Sequence, residues 1–396
     1  MTPRTRSGAA ALAAVLLAAA TGCAAGDRTP GTPTATGKPP QRPAAPGAAS
    51  APAPFTLVAS GDVLPHDSII SRAAVDAGGS GYDFRPMLSG VKPVVSAADL
   101  AICHMETVYG ADGGPYTGYP AFKSPPEIAA ALKETGYDSC STASNHTLDD
   151  GAAGLRRTLD TLDKAGVRHA GSARTAEEAA RPTLLKAGRA TVAQLAYTYD
   201  TNGFPLPEGQ PWAVNLIDEQ RIVADARAAR KAGADVVVVS IHWGTEWQSD
   251  PDDRQLTLGR ALTASRTGSR PDIDLVLGTH AHVPQAYEKV NGTWIVYGMG
   301  DQIAGDMINY EGSRDGRGNQ GTLARFTFAP PTSPGARWQV SRAEFIPQFF
   351  DTVRGKVVNL NAAIRKGERQ YTDTRDTIRE VVLGRGAARD GLVMGE

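Results

Sequence analysis

Val236-Val237-Val238-Val239 places four β-branched apolar residues in a row. A half-exposed strand or an amphipathic helix would break such a run with polar residues, so the segment reads as a strand covered on both faces, leading through Ser240-Ile241 to His242. Short apolar runs recur at Phe55–Ser60, Leu100–Cys103, Asp138–Ala143, Val192–Ala196, Asp235–Ile241 and Ile273–Leu277. Between them, Glu127–Thr135, Ala152–Ala165, Glu219–Ala232 and Asp253–Ala264 carry apolar residues at helical spacing, with Gly136, Gly166 and Gly233 where helix C-terminal glycines belong. This alternation predicts a layered α/β fold. Asn291-Gly292 between Tyr287–Val290 and Trp294–Tyr297 predicts a hairpin, and later strands at Thr322–Phe328 and Trp338–Phe345 make the sheets mixed.

Arg4 and Arg6 precede an apolar run from Ala9 to Ala20 and then Thr21-Gly22-Cys23. The run is shorter than the roughly 20 residues of a spanning helix and reads as an export signal. Ala20-Thr21-Gly22-Cys23 resembles a bacterial lipobox, with Ala20 where leucine is usual; this implies residues 1–23 as a lipoprotein signal and a lipid on Cys23. Residues 24–54, mostly Ala, Pro, Gly and Thr, cannot bury enough apolar surface to order themselves and read as a tether. The expected location is the outer face of a bacterial membrane, with a secreted form as the alternative. Residues 55–350 form the predicted folded domain, and 351–396 a peripheral helical extension.

Lys+Arg 41 against Asp+Glu 42 leaves a formal net charge of -1, with no basic excess to hold nucleic acid. Cys103 and Cys140 fall in apolar strands of a protein expected in an oxidising compartment. Pairing is open to them, but the reading favoured is two unpaired buried thiols acting as small hydrophobes.

Six of the seven histidines lie in short motifs that follow predicted strands, and His169 alone stands apart, in a structural position. Side chains at the ends of successive strands can converge, which makes a metal centre the first expectation. Asp62 follows the first strand, with His66 four residues on. Glu106 follows the second and is preferred to His104 as a ligand, one of the pair being expected to face away. Asn145 offers a carboxamide oxygen after the third strand, leaving the adjacent His146 free to move a proton. His242 ends the Val236 strand. His280-Ala281-His282 sets two imidazoles on one side of an extended segment, with Asp301 or Gln285 to orient them. Lys123, Trp243, Trp247 and Glu246 are candidates for a substrate pocket, Lys123 offering a cation to an anionic group.

Taken in order, Gly61-Asp62, Glu106, Ser144-Asn145-His146 with Asp149 and Gly151, His242-Trp243-Gly244 with Glu246, and His280-Ala281-His282-Val283 with Gln285 resemble the motifs of the CapA family. That family lies within the calcineurin-like metallophosphoesterases. The resemblance covers roughly residues 55–350. It implies an α/β/β/α sandwich of mixed sheets and two divalent cations, Mn, Fe or Zn, that activate water. It also implies a catalytic role for His146 with Asp149, and a part in poly-γ-glutamate capsule synthesis, export or attachment. Implied partners are an anionic polymer or phosphoester substrate, the membrane, and a capsule-synthesis complex; the alternatives are a non-catalytic polymer-binding module or a secreted phosphodiesterase. The chain departs from the wider pattern in having Asp-x-x-x-His at 62–66, Glu106 in place of aspartate, and Asp301 in place of asparagine.

Overall fold

The computed structural model describes residues 53–333 and 336–396. The predicted signal segment, and the predicted tether up to residue 52, lie outside the described residues.

The strands run β1 (Phe55–Val63), β2 (Leu100–Met105), β3 (Ser139–Ser141), β4 (Arg168–Ala170), β5 (Thr183–Ala187), β6 (Ala190–Thr198), β7 (Val236–His242), β8 (Arg266–Thr267), β9 (Arg270–Pro271), β10 (Leu275–Thr279), β11 (Tyr287–Val290), β12 (Thr293–Val296), β13 (Asp301–Ile303), β14 (Gln320–Ala329), β15 (Gln339–Asp351), β16 (Lys356–Asn359) and β17 (Leu392–Met394). Among the described residues one sheet has nine strands, in the order β16-β15-β14-β1-β2-β3-β4, with β13 beside β1 and β17 beside β15. A second has six, in the order β11-β12-β10-β7-β6-β5. In the larger sheet β1 to β4 run parallel out to one edge, with β14, β15 and β16 pairing antiparallel on the other side; in the smaller a parallel centre is flanked by antiparallel β5 and β11.

The two sheets face each other across one core, in which Leu57, Ile102 and Phe326 meet Val192, Val238 and Leu277. Helices Asp67–Asp76 and Glu127–Thr135 cover the outer face of the larger sheet through Ile69, Ala73, Ile128 and Leu132. Helices Glu219–Lys231 and Asp253–Ala264 cover the smaller through Ile222, Ala226 and Leu262. This is the predicted α/β/β/α sandwich. The valine run explains itself here: Val236 and Val238 point into the core between the sheets, Val237 and Val239 toward the helices. No helix among the described residues is long and apolar enough to cross a membrane.

Two expectations are corrected. Residues 351–396 carry two helices, Leu360–Arg365 and Thr372–Leu383, but are not peripheral: β16 pairs antiparallel and β17 parallel with β15. Leu360, Ile378, Val382 and Leu392 join the core between the sheets. Their apolar positions are few and scattered, so the sequence pattern understates how much they bury.

Cys103 and Cys140 are joined in a disulfide. Their strands are parallel neighbours in a register that sets the two residues side by side, with Cα atoms 4.4 Å apart, so two buried side chains that could each have packed alone are brought together. Closing a loop of 37 residues restricts the unfolded chain. Replacing both cysteines by alanine is therefore expected to lower the unfolding free energy by about 2–4 kcal/mol, measured by urea denaturation. No change would mean that packing alone holds β2 to β3.

Candidate metal centre

The strand registers build the centre in two rows. In the larger sheet Asp62 is flanked by Asp301 of β13 on one side and His104 of β2 on the other, and His104 is level with Ser141 of β3. In the smaller sheet His242 lies level with Thr198 of β6 and Thr279 of β10. Apart from Asp301, which opens β13, both rows sit at the C-terminal ends of parallel strands, where loops are free to add further groups. Gly61 is needed for this arrangement. A Cβ there would lie 1.7 Å from the Gly300 carbonyl oxygen, and that same oxygen accepts the Asp62 amide at 3.1 Å.

Ligand atoms converge in four overlapping sets, each within 4.8 Å: Asp62, His104 and His242; Glu106, His242 and His280; Glu246, His280 and His282; Asp62, Glu106 and His282. Asn145 joins them, its Oδ1 lying 2.8 Å from His242 Nε2. His104 belongs with Glu106 rather than opposite it. The strand continues to Met105, so residues 104 and 106 stay on one side, and the expectation that only one faces the site gives way. His280 and His282 also converge, but not from an extended segment: β10 ends at Thr279, and both adopt positive φ, 95° and 57°.

The second ring nitrogens are held. His282 Nδ1 lies 3.0 Å from Asp301 Oδ1, His242 Nδ1 3.0 Å from Thr279 Oγ1, and His104 Nδ1 2.7 Å from Ser141 Oγ. Such partners fix the orientation in which the other nitrogen faces the cluster. Ser141 and Thr279 escaped the sequence reading because their signal is register, which a single strand does not carry.

The fit to a cation rests on atoms left over. Asp62 Oδ1, both Glu106 carboxylate oxygens, His104 Nε2, His280 Nδ1 and Asp301 Oδ2 are buried and have no hydrogen-bond partner. Burying one unpaired ionised carboxylate costs several kcal/mol, so three carboxyls left with free oxygens in one place need positive charge or protons. Burial, then the neighbouring Asp301, pushes the Asp62 carboxyl well above the usual range, and burial with Asp62 does the same to Glu106. Burial holds His104 down to about 3, and burial with neighbouring imidazoles holds His242 and His280 well below their ordinary value. These three are therefore neutral, the form that binds metal. Burial works against a charge on His282, but Asp301 and Glu106 outweigh it and push that imidazole well up. The residues present fit divalent cation binding.

His146 stands beside these sets and in none of them. Its Nδ1 lies 2.7 Å from Asp149 Oδ2, which also accepts the Phe122 amide at 2.7 Å, and its ring packs edge-on to Phe122 at 4.7 Å. His66, expected as a ligand, also lies outside the four sets. It begins the Asp67–Asp76 helix with its ring edge against Phe122, and burial and His282 push it down to about 4.

Of the pocket candidates, Glu246 is exposed and grouped with His280 and His282, and Trp247 packs 6.3 Å from the His282 ring. Trp243 is not brought to the cleft. Its Nε1 donates to the Tyr297 carbonyl at 2.9 Å and its ring packs in the core under the Asp253–Ala264 helix. Gln285 braces backbone, donating to Gln248 and accepting from Gln255, and orients no ligand histidine. Lys123 Nζ is 4.0 Å from Asp150 Oδ1. His169 lies on β4, near Asp163 and Glu178. The loop after β6 contributes two side chains the sequence did not announce: the Tyr199 ring lies over His280 at 4.5 Å, and Asn202 reaches Asn145.

An α/β/β/α sandwich with a histidine-carboxylate cluster between the strand ends defines a class of metal-binding proteins. Residues 56–306 match the family described as bacterial capsule synthesis protein PGA_cap, and the chain belongs to that family. It is 32% identical to the PGA biosynthesis protein CapA of Bacillus subtilis over 45% of this chain and 45% of that one. With the capsule biosynthesis protein CapA of Bacillus anthracis it shares 26% identity over 45% of this chain and 42% of that one. The chain thus spans about half the length of the curated relatives it matches. Among solved structures, the calcineurin-like phosphoesterase YfkN of Bacillus subtilis aligns with 84% of this chain and 99% of that one, at 13% identity and a TM-score of 0.44.

Proposed function

We propose that this chain is a metal-dependent hydrolase of the bacterial cell surface, acting on phosphoester-type or γ-glutamyl bonds in the synthesis, export or attachment of poly-γ-glutamate. The observation that carries the reading is the convergence of unpartnered carboxylate and imidazole atoms beside a separate His146–Asp149 pair. The names of the two Bacillus relatives support the polymer. The signal-like N-terminus supports the surface location and an anchor at Cys23.

Asp62, His104, Glu106, Asn145, His242, Glu246, His280 and His282 would hold the cations, two in the reading favoured. Bound divalent metal supplies water of lowered pKa and a Lewis acid for charge building on the scissile group. Asp301, Thr279 and Ser141 keep the imidazoles oriented. His146, with Nδ1 held by Asp149, keeps Nε2 for the proton that the leaving group takes up. Positive charge at the cluster also suits an anionic substrate.

The test is metal content of the full chain purified without chelator, beside an Asp62→Ala/His282→Ala double variant, followed by assays on phosphodiesters and γ-glutamyl polymers. About two equivalents in the parent, lost in the variant, with turnover of either substrate class, is the expected result. Cation and polymer binding with no turnover would make the chain a binding module. Turnover of small phosphodiesters with no polymer affinity would detach it from the capsule.

A further inference from the structure

We infer that Asn202 is a positioning residue of the metal centre, one that sets which end of the Asn145 carboxamide faces the ligand cluster; this rests on the metal-binding reading above. An asparagine amide presents an acceptor oxygen on one side and a donor NH2 on the other, and the two ends are nearly the same in shape. At Asn145 they are not equivalent. Its oxygen faces His242 Nε2 at 2.8 Å, where a cation or an N–H can be accepted, and an NH2 turned the same way would set two donors against a cation. What prevents the flip is on the other side. Asn145 Nδ2 donates to Asn202 Oδ1 at 3.2 Å, and an oxygen there can only accept.

The same residue lies beside the proton-transfer pair. Asn202 Nδ2 is 3.4 Å from His146 Nδ1, a nitrogen that already lies 2.7 Å from the Asp149 carboxylate. Asn202 is thus wedged between the Asn145 carboxamide and His146, a histidine outside the ligand sets.

The loop that presents Asn202 is held without its side chain. The Tyr199 amide donates to the His242 carbonyl at 3.1 Å, Thr198 Oγ1 to the Asp200 carbonyl at 3.0 Å, and Thr201 Oγ1 to the Phe204 carbonyl at 2.6 Å. Asn202 itself has φ 51°, a left-handed conformation that asparagine and aspartate tolerate better than other residues with a Cβ, and glycine better still. A residue kept here for its turn alone could therefore be glycine with no loss. The side chain is what the inference concerns, and the backbone requirement makes the two roles separable.

The experiment is calorimetric titration of the metal-free full chain with Mn²⁺, for the parent, Asn202→Gly and Asn202→Asp, with thermal unfolding recorded for each. Partners that orient ligands from outside the inner sphere typically change metal affinity by about 10- to 100-fold. Asn202→Gly should bind Mn²⁺ more weakly by that factor with its unfolding temperature unchanged or raised. Asn202→Asp keeps an acceptor oxygen for Asn145 Nδ2 and should restore affinity to within about threefold of the parent, well inside that range. Parent-like affinity in Asn202→Gly would overturn the inference and leave Asn202 a turn residue. Equal weakening in both variants would also overturn it, since the acceptor would then not be what matters. A parent that takes up no Mn²⁺ would overturn the metal centre first and the inference with it.

Discussion

His146→Ala is expected to lower hydrolytic turnover by about 10²–10⁴-fold, the range for removing a positioned general acid, while leaving the cation content of the protein unchanged. The two halves of that result come from one piece of geometry. His146 follows Asn145 in the chain yet belongs to none of the four sets of converging ligand atoms, and its Nδ1 points at Asp149 rather than at the cluster. Asp149 is fixed in turn by the Phe122 amide, so the ring is held by its carboxylate and by packing on Phe122. Asp149→Asn should therefore act in the same direction and less severely, because an amide can still hold the ring while offering no charge to balance a protonated imidazole. Single-turnover kinetics on a chromogenic phosphodiester, with metal content measured on the same samples, checks both. A variant that loses cation along with turnover would make His146 a ligand, and one that keeps full turnover would remove it from the chemistry.

What the sequence made legible follows from which interactions are local. The valine run of β7, the apolar runs of β1 and β2, and the helices with C-terminal glycines each carry their signal within a dozen residues, and each forms close to where it was read. β5 and β16 were not read, because they are short strands whose identity comes from their neighbours β6 and β15. The same division runs through the site. Asp62, Glu106, Asn145, His242, His280 and His282 were legible because each carries metal-binding chemistry at a strand end. Asn202 was not. Within Asp200-Thr201-Asn202-Gly203 it reads as a turn, and its meaning depends on Asn145, 57 residues earlier. His104 was set aside because one of residues 104 and 106 was expected to face away, whereas the strand continues to Met105 and keeps both on one side. Positive φ gives a retrospective signal. Of the five residues other than glycine with φ above zero among those described, Asn291 makes the predicted hairpin, and His280, His282, Trp247 and Asn202 all belong to or border the candidate metal centre. Strain of this kind concentrates at functional sites, because only a site that needs a particular direction keeps it.

Asp62→Asn should reverse the order of stability between parent and variant according to whether divalent cation is present. Asp62 is buried between Asp301 and His104 in register, with Oδ1 unpartnered, and burial followed by Asp301 pushes its carboxyl well above the usual range. A carboxyl whose folded pKa lies above its unfolded value binds its proton more tightly in the native state. The stability this gives is complete below the unfolded value, about 4, and is lost as pH rises toward the folded one. Glu106 is shifted in the same direction, so these two carboxyls withdraw stability from the chelated parent as pH rises above about 4, while the depressed His104, His242 and His280 act the other way until pH passes the unfolded imidazole value, about 6.5. An amide at position 62 removes one of these like charges, and the chelated variant should be more stable than the chelated parent at pH 8 by on the order of 1–3 kcal/mol. Cation inverts the comparison. A ligand that binds only the native state at a thousand times its dissociation constant adds about 4 kcal/mol, and that gain belongs to the parent, whose Asp62 belongs to two of the four ligand sets. Urea unfolding of both proteins at pH 5 and pH 8, with chelator or with Mn²⁺, measures all the terms. A variant less stable than the parent under chelation would show that Asp62 is held by the fold itself; the crossing of the two orders is the outcome that only a cation between these carboxylates produces.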